Sequence, residues 1–201
     1  MKTLRINSMI TVGINILNGL IKYLKNNGCF IIMKIIIRKS NNNDLNDVFN
    51  LHNLCFSFND RWYKNAISQY INNSIIITTE NENIIGVLLQ GNFMLMTPNE
   101  QFTPYIHNFI NENKIYKSPS DEEVSGIVMI CIHPDFRNQG LATKLIEHHN
   151  KLNNDSSYLC TRLSNNNAIS LYLKNGYKNI GIIKDKYYLP IEDGYIMVRD
   201  N

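Results

Sequence analysis

The chain has 201 residues, 44% of them hydrophobic and 18% charged, with a formal net charge of +3. That length suits one α/β domain with a sizeable core plus an appendage. So small a charge, carried by scattered Lys and Arg, argues against a nucleic-acid partner.

Residues 1–32 open the chain as an N-terminal extension. Ile10, Ile14, Leu17, Ile21 and Leu24 recur at helical spacing, which predicts an amphipathic helix. Asn15, Asn18 and Lys22 interrupt the apolar run well short of the ~20 residues of a membrane span. Membrane-surface contact by residues 1–32 is the alternative reading of that helix.

A domain then runs over 33–201. "KIIIRKS" (34–40) predicts a first strand. "NNNDLNDVFNLHNLCF" predicts a capped helix with Leu45, Val48, Phe49 and Leu51 in phase. "DRWYKNAISQYI" (60–71) predicts a second helix that buries Trp62, Ile67 and Ile71. "SIIITTE" and "IIGVLLQGNFML", separated by "NEN", form a hairpin. Residues 96–121 are polar, hold three prolines with the residues around them, and read as a long insertion.

"EVSGIVMICIHP" (123–134) is a buried strand. A helix follows from Gly140 to Asn153, with Leu141, Leu145 and Leu152 on its inner side. "SYLCTRL" is a strand, and "NNNAISLYLKNG" is a helix that stops at Gly176. Two strands around "KDKYYLPIED" close a mixed α/β sheet. None of Cys29, Cys55, Cys131 and Cys160 forms a C-x-x-C pair, so no metal site is expected. The last three sit among apolar neighbours. Free thiols of that kind point to a reducing, cytoplasmic setting.

"RNQGLATKL" (137–145) places Arg137, Gly140 and Ala142 where a buried strand turns into a helix. A helix N-terminus carries unpaired N–H groups and the positive end of the helix dipole. Small side chains there let an anion reach the backbone, and Arg137 adds charge. The pattern describes a pyrophosphate cradle without a P-loop lysine. By itself, a six-residue pattern is weak.

A second stretch carries the resemblance. Arg137-x-x-Gly140-x-Ala142 after "IHPDF" resembles motif A of the GNAT superfamily of acetyl-CoA-dependent N-acetyltransferases. Asn165, Ala168, Tyr172, Gly176 and Tyr177 in "SNNNAISLYLKNGY" resemble its motif B. The resemblance covers roughly 33–200. It implies the GNAT fold: a mixed, mostly antiparallel sheet of about seven strands flanked by helices and splayed at the strand before motif A. It also implies acetyl-CoA as cosubstrate and no metal. The backbone of Ile130 and Ile132 would hold the pantetheine arm. Arg137, Asn138, Gln139, Gly140, Leu141, Ala142 and Thr143 would hold the phosphates. Asn165 would touch the arm, and Tyr172, against the cofactor, would protonate the departing thiolate.

"LCFSFNDRWYKNAI" (54–67) and "KDKYYLPIEDGYIMV" (184–198) are similar to regions of protein Nα-acetyltransferases acting on Met-first N termini. That likeness implies one peptide wall from Leu54, Cys55, Phe56 and Phe58 and another from Tyr187, Tyr188 and Ile191. The implied partners are acetyl-CoA and a peptide or protein N terminus. The alternatives are a small amine (polyamine, amino acid or aminoglycoside) or acyl-CoA binding without catalysis.

Two departures stand out. Gly126 and Cys160 occupy the subgroup's usual Tyr and His relay positions. Glu122, Glu123, His107 and Glu112 are the substitutes that the sequence offers, and His133 reads as structural.

Overall fold

The computed structural model describes residues 34–93, 124–153 and 156–200. The N-terminal extension, the 96–121 insertion, and His107, Glu112, Glu122 and Glu123 lie outside the described residues. Among the described residues no helix is long and apolar enough to cross a membrane.

Strand β1 (Ile35–Lys39) leads into helix α1 (Leu45–Cys55) through a capped turn. The Asn41 side chain accepts from the Asn43 amide at 2.9 Å, and Asp44 accepts from the Asn41 amide at 2.8 Å. Arg38 grips the same Asp44 carboxylate at 2.7 Å, which holds that carboxyl below its ordinary range. Helix α1 buries Val48, Leu51 and His52.

The second helix is shorter than its spacing predicts. Only Lys64–Ser68 (α2) is α-helical, and 3₁₀ turns at Phe58–Asp60 and Ile71–Asn73 flank it. The Trp62 amide donates to His52 Nε2 at 2.8 Å, so that residue is held outside the helix. No side chain caps the helix start at Tyr63. Ile67 and Ile71 are still fully buried, while Trp62 is half-buried.

The sheet continues with β2 (Ile75–Thr79), β3 (Ile84–Phe93) and β4 (Val124–Ile132). After α3 (Leu141–Leu152), β5 (Ser157–Arg162) and α4 (Asn166–Lys174), strands β6 (Lys178–Tyr188) and β7 (Ile191–Arg199) close it. The order across the sheet is β1-β2-β3-β4-β5-β7-β6. Every neighbouring pair is antiparallel except β4 with β5. "KDKYY" is thus part of β6 rather than a connecting loop.

A core cluster between α1, α2 and the sheet joins Val48, Leu51, Ile67, Ile76, Val87 and Leu89 with Met129 and Cys131. From α3, Leu141, Leu145, Ile146 and His149 are buried. Leu152, expected on that side, stands 59% exposed in the last turn, and Ile146 takes its share of the stripe.

Beneath β5 runs a buried polar chain. The Tyr177 hydroxyl donates to Ser157 Oγ at 2.9 Å, and Ser157 lies 2.8 Å from His149 Nε2. His149 Nδ1 meets Gln90 Oε1 at 2.8 Å. The chain is consistent with a neutral imidazole protonated at Nδ1. Burial pushes the His149 pKa down to about 4. An unfolded histidine at about 6.5 binds its proton earlier. Stability therefore falls as pH drops from about 6.5 towards 4 and is level above that window. Melting curves should show Tm lower by roughly 5 °C at pH 4.5 than at pH 7. The slope should flatten in His149→Gln, and an unchanged slope in that variant would contradict the assignment.

Candidate active site

The parallel contact of β4 with β5 lasts for two residue pairs, Gly126 with Tyr158 and Ile127 with Leu159. Beyond them the strands part. Just past that point β4 carries a bulge: Leu89 faces Met129 and Gln90 faces Ile127, leaving Val128 without a partner. Val128, Met129 and Ile130 on one side, and Cys160, Thr161 and Arg162 on the other, line a cleft of about 420 Å³. Unpaired backbone facing a cleft is what an amide-bearing arm needs to hydrogen-bond.

Motif B borders the same space. Asn165, Ala168 and Tyr172 line it. Asn165 caps α4, its Oδ1 accepting from the Ala168 amide at 3.2 Å. Tyr172 is buried and packs edge-on against Tyr177, ring centroids 5.7 Å apart. Burial pushes its phenol well above the ordinary tyrosine value, with Tyr177 and Tyr187 adding to the effect. The hydroxyl therefore stays protonated, as a proton donor must.

The 137–143 stretch lies outside this cleft, at the start of α3. Gly140 is its N-cap, with φ of +74°, a conformation that favours glycine. A Cβ there would meet no atom within 4 Å, so the space over the turn is open. No side chain caps α3, and residues 137–140 are exposed. Arg137 Nε donates to the Ile132 carbonyl at 3.1 Å, fixing the guanidinium beside the helix entrance. Ile132 is buried and does not line the cleft. His133 accepts from the Asp135 amide at 3.3 Å within the turn.

Two further walls complete the cleft. His52, Phe56, Asn59, Asp60, Arg61 and Trp62 form one, and Lys186, Tyr187, Tyr188 and Leu189 the other. Arg162 joins them. It reaches Asp60 at 2.7 Å, Glu192 at 3.1 Å, and the carbonyls of Leu189 and Pro190 at 3.2 Å each. Its guanidinium also lies 4.3 Å from the Tyr187 ring centroid. Burial pushes the Tyr187 phenol up to about 12, against the pull of that cation.

Of the residues that the sequence proposes for the acceptor, Phe56, Tyr187 and Tyr188 line the cleft. Phe58 and Ile191 do not; they are 84% and 71% exposed. Leu54 also points to solvent. Cys55 belongs elsewhere: its thiol donates to the Ile132 carbonyl at 3.3 Å, beside Cys131 and Arg137. The hydrogen bond with Cys131, aided by Arg137, lowers the Cys55 pKa to about 7. Cys55 and Cys160 are half-buried rather than buried, and Cys131 is buried.

His52 and Arg162 also line the cleft, and no local sequence signal marks either of them. His52 Nε2 accepts the Trp62 amide, so Nδ1 carries the proton and meets Met129 Sδ at 3.1 Å. Burial, then the nearby Arg61, lower its pKa. Arg162 is separated by 102 residues from Asp60, and only the fold brings the two together.

Residues 107–179 match the family model described as an acetyltransferase (GNAT) domain. An N-alpha-acetyltransferase of Saccharolobus solfataricus is 35% identical over 92 residues, 43% of this chain and 54% of that protein. The chain thus spans about half the length of the curated relatives it matches. Arabidopsis thaliana NAA60, solved in complex with acetyl-CoA, superposes with a TM-score of 0.64 at 18% identity. That match covers 84% of this chain and 100% of the other. Arylalkylamine N-acetyltransferase 2 of Aedes aegypti gives 0.61 at 16%, covering 83% and 99%. Likenesses at these identities establish the fold and leave the acceptor open.

Two outcomes follow from the site's electrostatics. Cys55 should alkylate faster than Cys131 and Cys160, with a half-maximal rate near pH 7; equal rates in peptide mass mapping would contradict the lowered value. Arg162→Gln should lower Tm by a few degrees, because Arg162 ties the 57–60 segment to the β6–β7 hairpin. An unchanged Tm would contradict that bracing role.

Proposed function

We propose that the protein, which has the GNAT fold, is an N-acetyltransferase that moves acetyl from acetyl-CoA to the α-amine of a protein or peptide N terminus. The arm of the cosubstrate would lie between β4 and β5 against Ile130 and Asn165, with its pyrophosphate at 137–143. The acceptor would enter between the Phe56 wall and the Tyr187–Tyr188 wall, its amine facing the thioester beside Tyr172. A narrow, partly aromatic slot with phenol groups at its rim suits an extended peptide.

One observation carries the choice of amine. Among the described residues lining the cleft, none offers an available base. The His52 lone pair already accepts the Trp62 amide. Burial pushes the Cys160 thiol up, against the opposing pull of Lys186. Asp60 is engaged by Arg162 and Ser57, and its pKa is lowered. An amine served by such a cleft must arrive neutral. The α-amine, with a pKa of about 7.7–8.0, supplies roughly 300 times more neutral form near pH 7.5 than a lysine side chain at about 10.4. The same arithmetic disfavours alkyl amines of lysine-like basicity, such as those of polyamines.

The neutral amine attacks the thioester carbonyl directly. The C–N bond forms, the C–S bond breaks, and Tyr172 gives its proton to the departing thiolate. The surplus amine proton leaves to water, and Tyr172 is reprotonated from solvent. Positioning supplies much of the rate, and no covalent enzyme intermediate is needed. The free thiols Cys55, Cys131 and Cys160 support a reducing compartment such as the cytoplasm for this activity.

Two measurements test the reading. The rise of kcat/KM with pH should follow the α-amine pKa of each peptide used and move with it. A rise at one fixed pKa, whatever the peptide, would reveal an enzyme base and overturn the mechanism. Tyr172→Phe should lower kcat by about 100-fold with little change in acetyl-CoA affinity, whereas an unchanged kcat would remove Tyr172 as the acid.

A further inference from the structure

The charges around the acceptor half of the cleft are unevenly satisfied. Its lining holds one carboxylate, Asp60, and three cations, Arg61, Arg162 and Lys186. Arg162 is occupied by Asp60 at 2.7 Å and Glu192 at 3.1 Å. The other Asp60 oxygen accepts from Ser57 Oγ at 2.8 Å, and the other Glu192 oxygen accepts from the Ser164 amide at 2.6 Å. The local carboxylates are therefore used up. Arg61 and Lys186 have no carboxylate partner among the described residues.

The two cations come from opposite walls. Arg61 Nε donates to the Phe56 carbonyl at 3.1 Å, which fixes its guanidinium beside the cleft. Lys186 sits in a bulge of β6. Ile183 faces Gly194 and Tyr187 faces Glu192, so Lys184, Asp185 and Lys186 stand opposite Asp193 alone. Asp193 takes the Asp185 amide at 3.0 Å and pairs with Lys184 at 2.5 Å. Of the two bulge lysines, Lys184 is thus neutralised and Lys186 is left at the cleft. Gly194 gives the stem of Lys186 its seat: a Cβ there would lie 3.1 Å from Lys186 Cγ and from the Tyr187 ring.

We infer that the preferred acceptor is an N terminus with an acidic residue directly behind its first one or two positions, read by Arg61 and Lys186 across the cleft. The inference rests on the α-amine reading and deepens it. With the amine at the thioester, the next side chains of an extended peptide leave between the two walls that carry these cations. A carboxylate there meets two cations that no described carboxylate neutralises. A lysine or arginine meets repulsion, which serves as selection against the wrong partner. The contacts are exposed, so each is worth little alone, and salt weakens both.

The test uses the full chain, acetyl-CoA and three Met-first peptides identical except for Asp, Leu or Lys at the second position. At low ionic strength kcat/KM should fall in the order Asp, Leu, Lys, over a range of roughly tenfold or more. The range should narrow at 0.5 M salt. In Arg61→Gln/Lys186→Gln the ratio between the Asp and Lys peptides, read within that enzyme, should collapse towards one. Lys186→Glu should move the ratio towards the Lys peptide. Equal rates for the three peptides, or a range that the double variant retains, overturn the inference and leave the α-amine reading standing. Absence of turnover on all three overturns both.

Discussion

The site depends on the early end of one strand pairing. Strands β4 and β5 run side by side for two residue pairs and then separate. A continuous ladder would have spent the backbone groups of 128–132 and 160–162 on each other. Because it stops, one face of each strand is left for a guest. The bulge at Val128 adds local twist at that point. Motif B then lies along the opening, with Tyr172 buried beside it.

Two polar networks brace the opening. On the outer side Arg162 ties the 57–60 segment to the tip of the β6–β7 hairpin through two carboxylates and two carbonyls. On the inner side the Tyr177–Ser157–His149–Gln90 chain braces β5 and α3 against β3. Both networks begin on β5, the strand that borders the cleft. Satisfied networks of this kind specify geometry, and each member relies on the others.

Much of this was legible from the sequence, and the reasons differ by element. All seven strands followed from apolar runs and turn residues. Val48, Leu51, Ile67 and Ile71 fell on the buried side because helical phase is local. Within 60–71 only Lys64–Ser68 is α-helical, because a tertiary bond from the Trp62 amide to His52 outcompetes the helix at its start. Leu152 is exposed although it is in helical phase, because periodicity does not reveal where a helix outruns its sheet. In the site, Phe56, Tyr187 and Tyr188 reach the cleft, whereas Phe58 and Ile191, close by in sequence, do not. The side taken by a residue in a 3₁₀ turn or a bulged hairpin is set by packing. Arg162 carries no local signature, because its partners Asp60 and Glu192 come from distant segments.

In the proposed reaction the Cys160 thiol, pushed up by burial, is a poor proton acceptor, and the acceptor amine would have to arrive neutral. The most direct measurement is the acetylation of one peptide that carries both a free α-amine and an internal lysine, mapped by tandem mass spectrometry near pH 7.5. The account predicts acetyl on the α-amine with the lysine at least about 100-fold behind. Lysine acetylation at a comparable rate would contradict it.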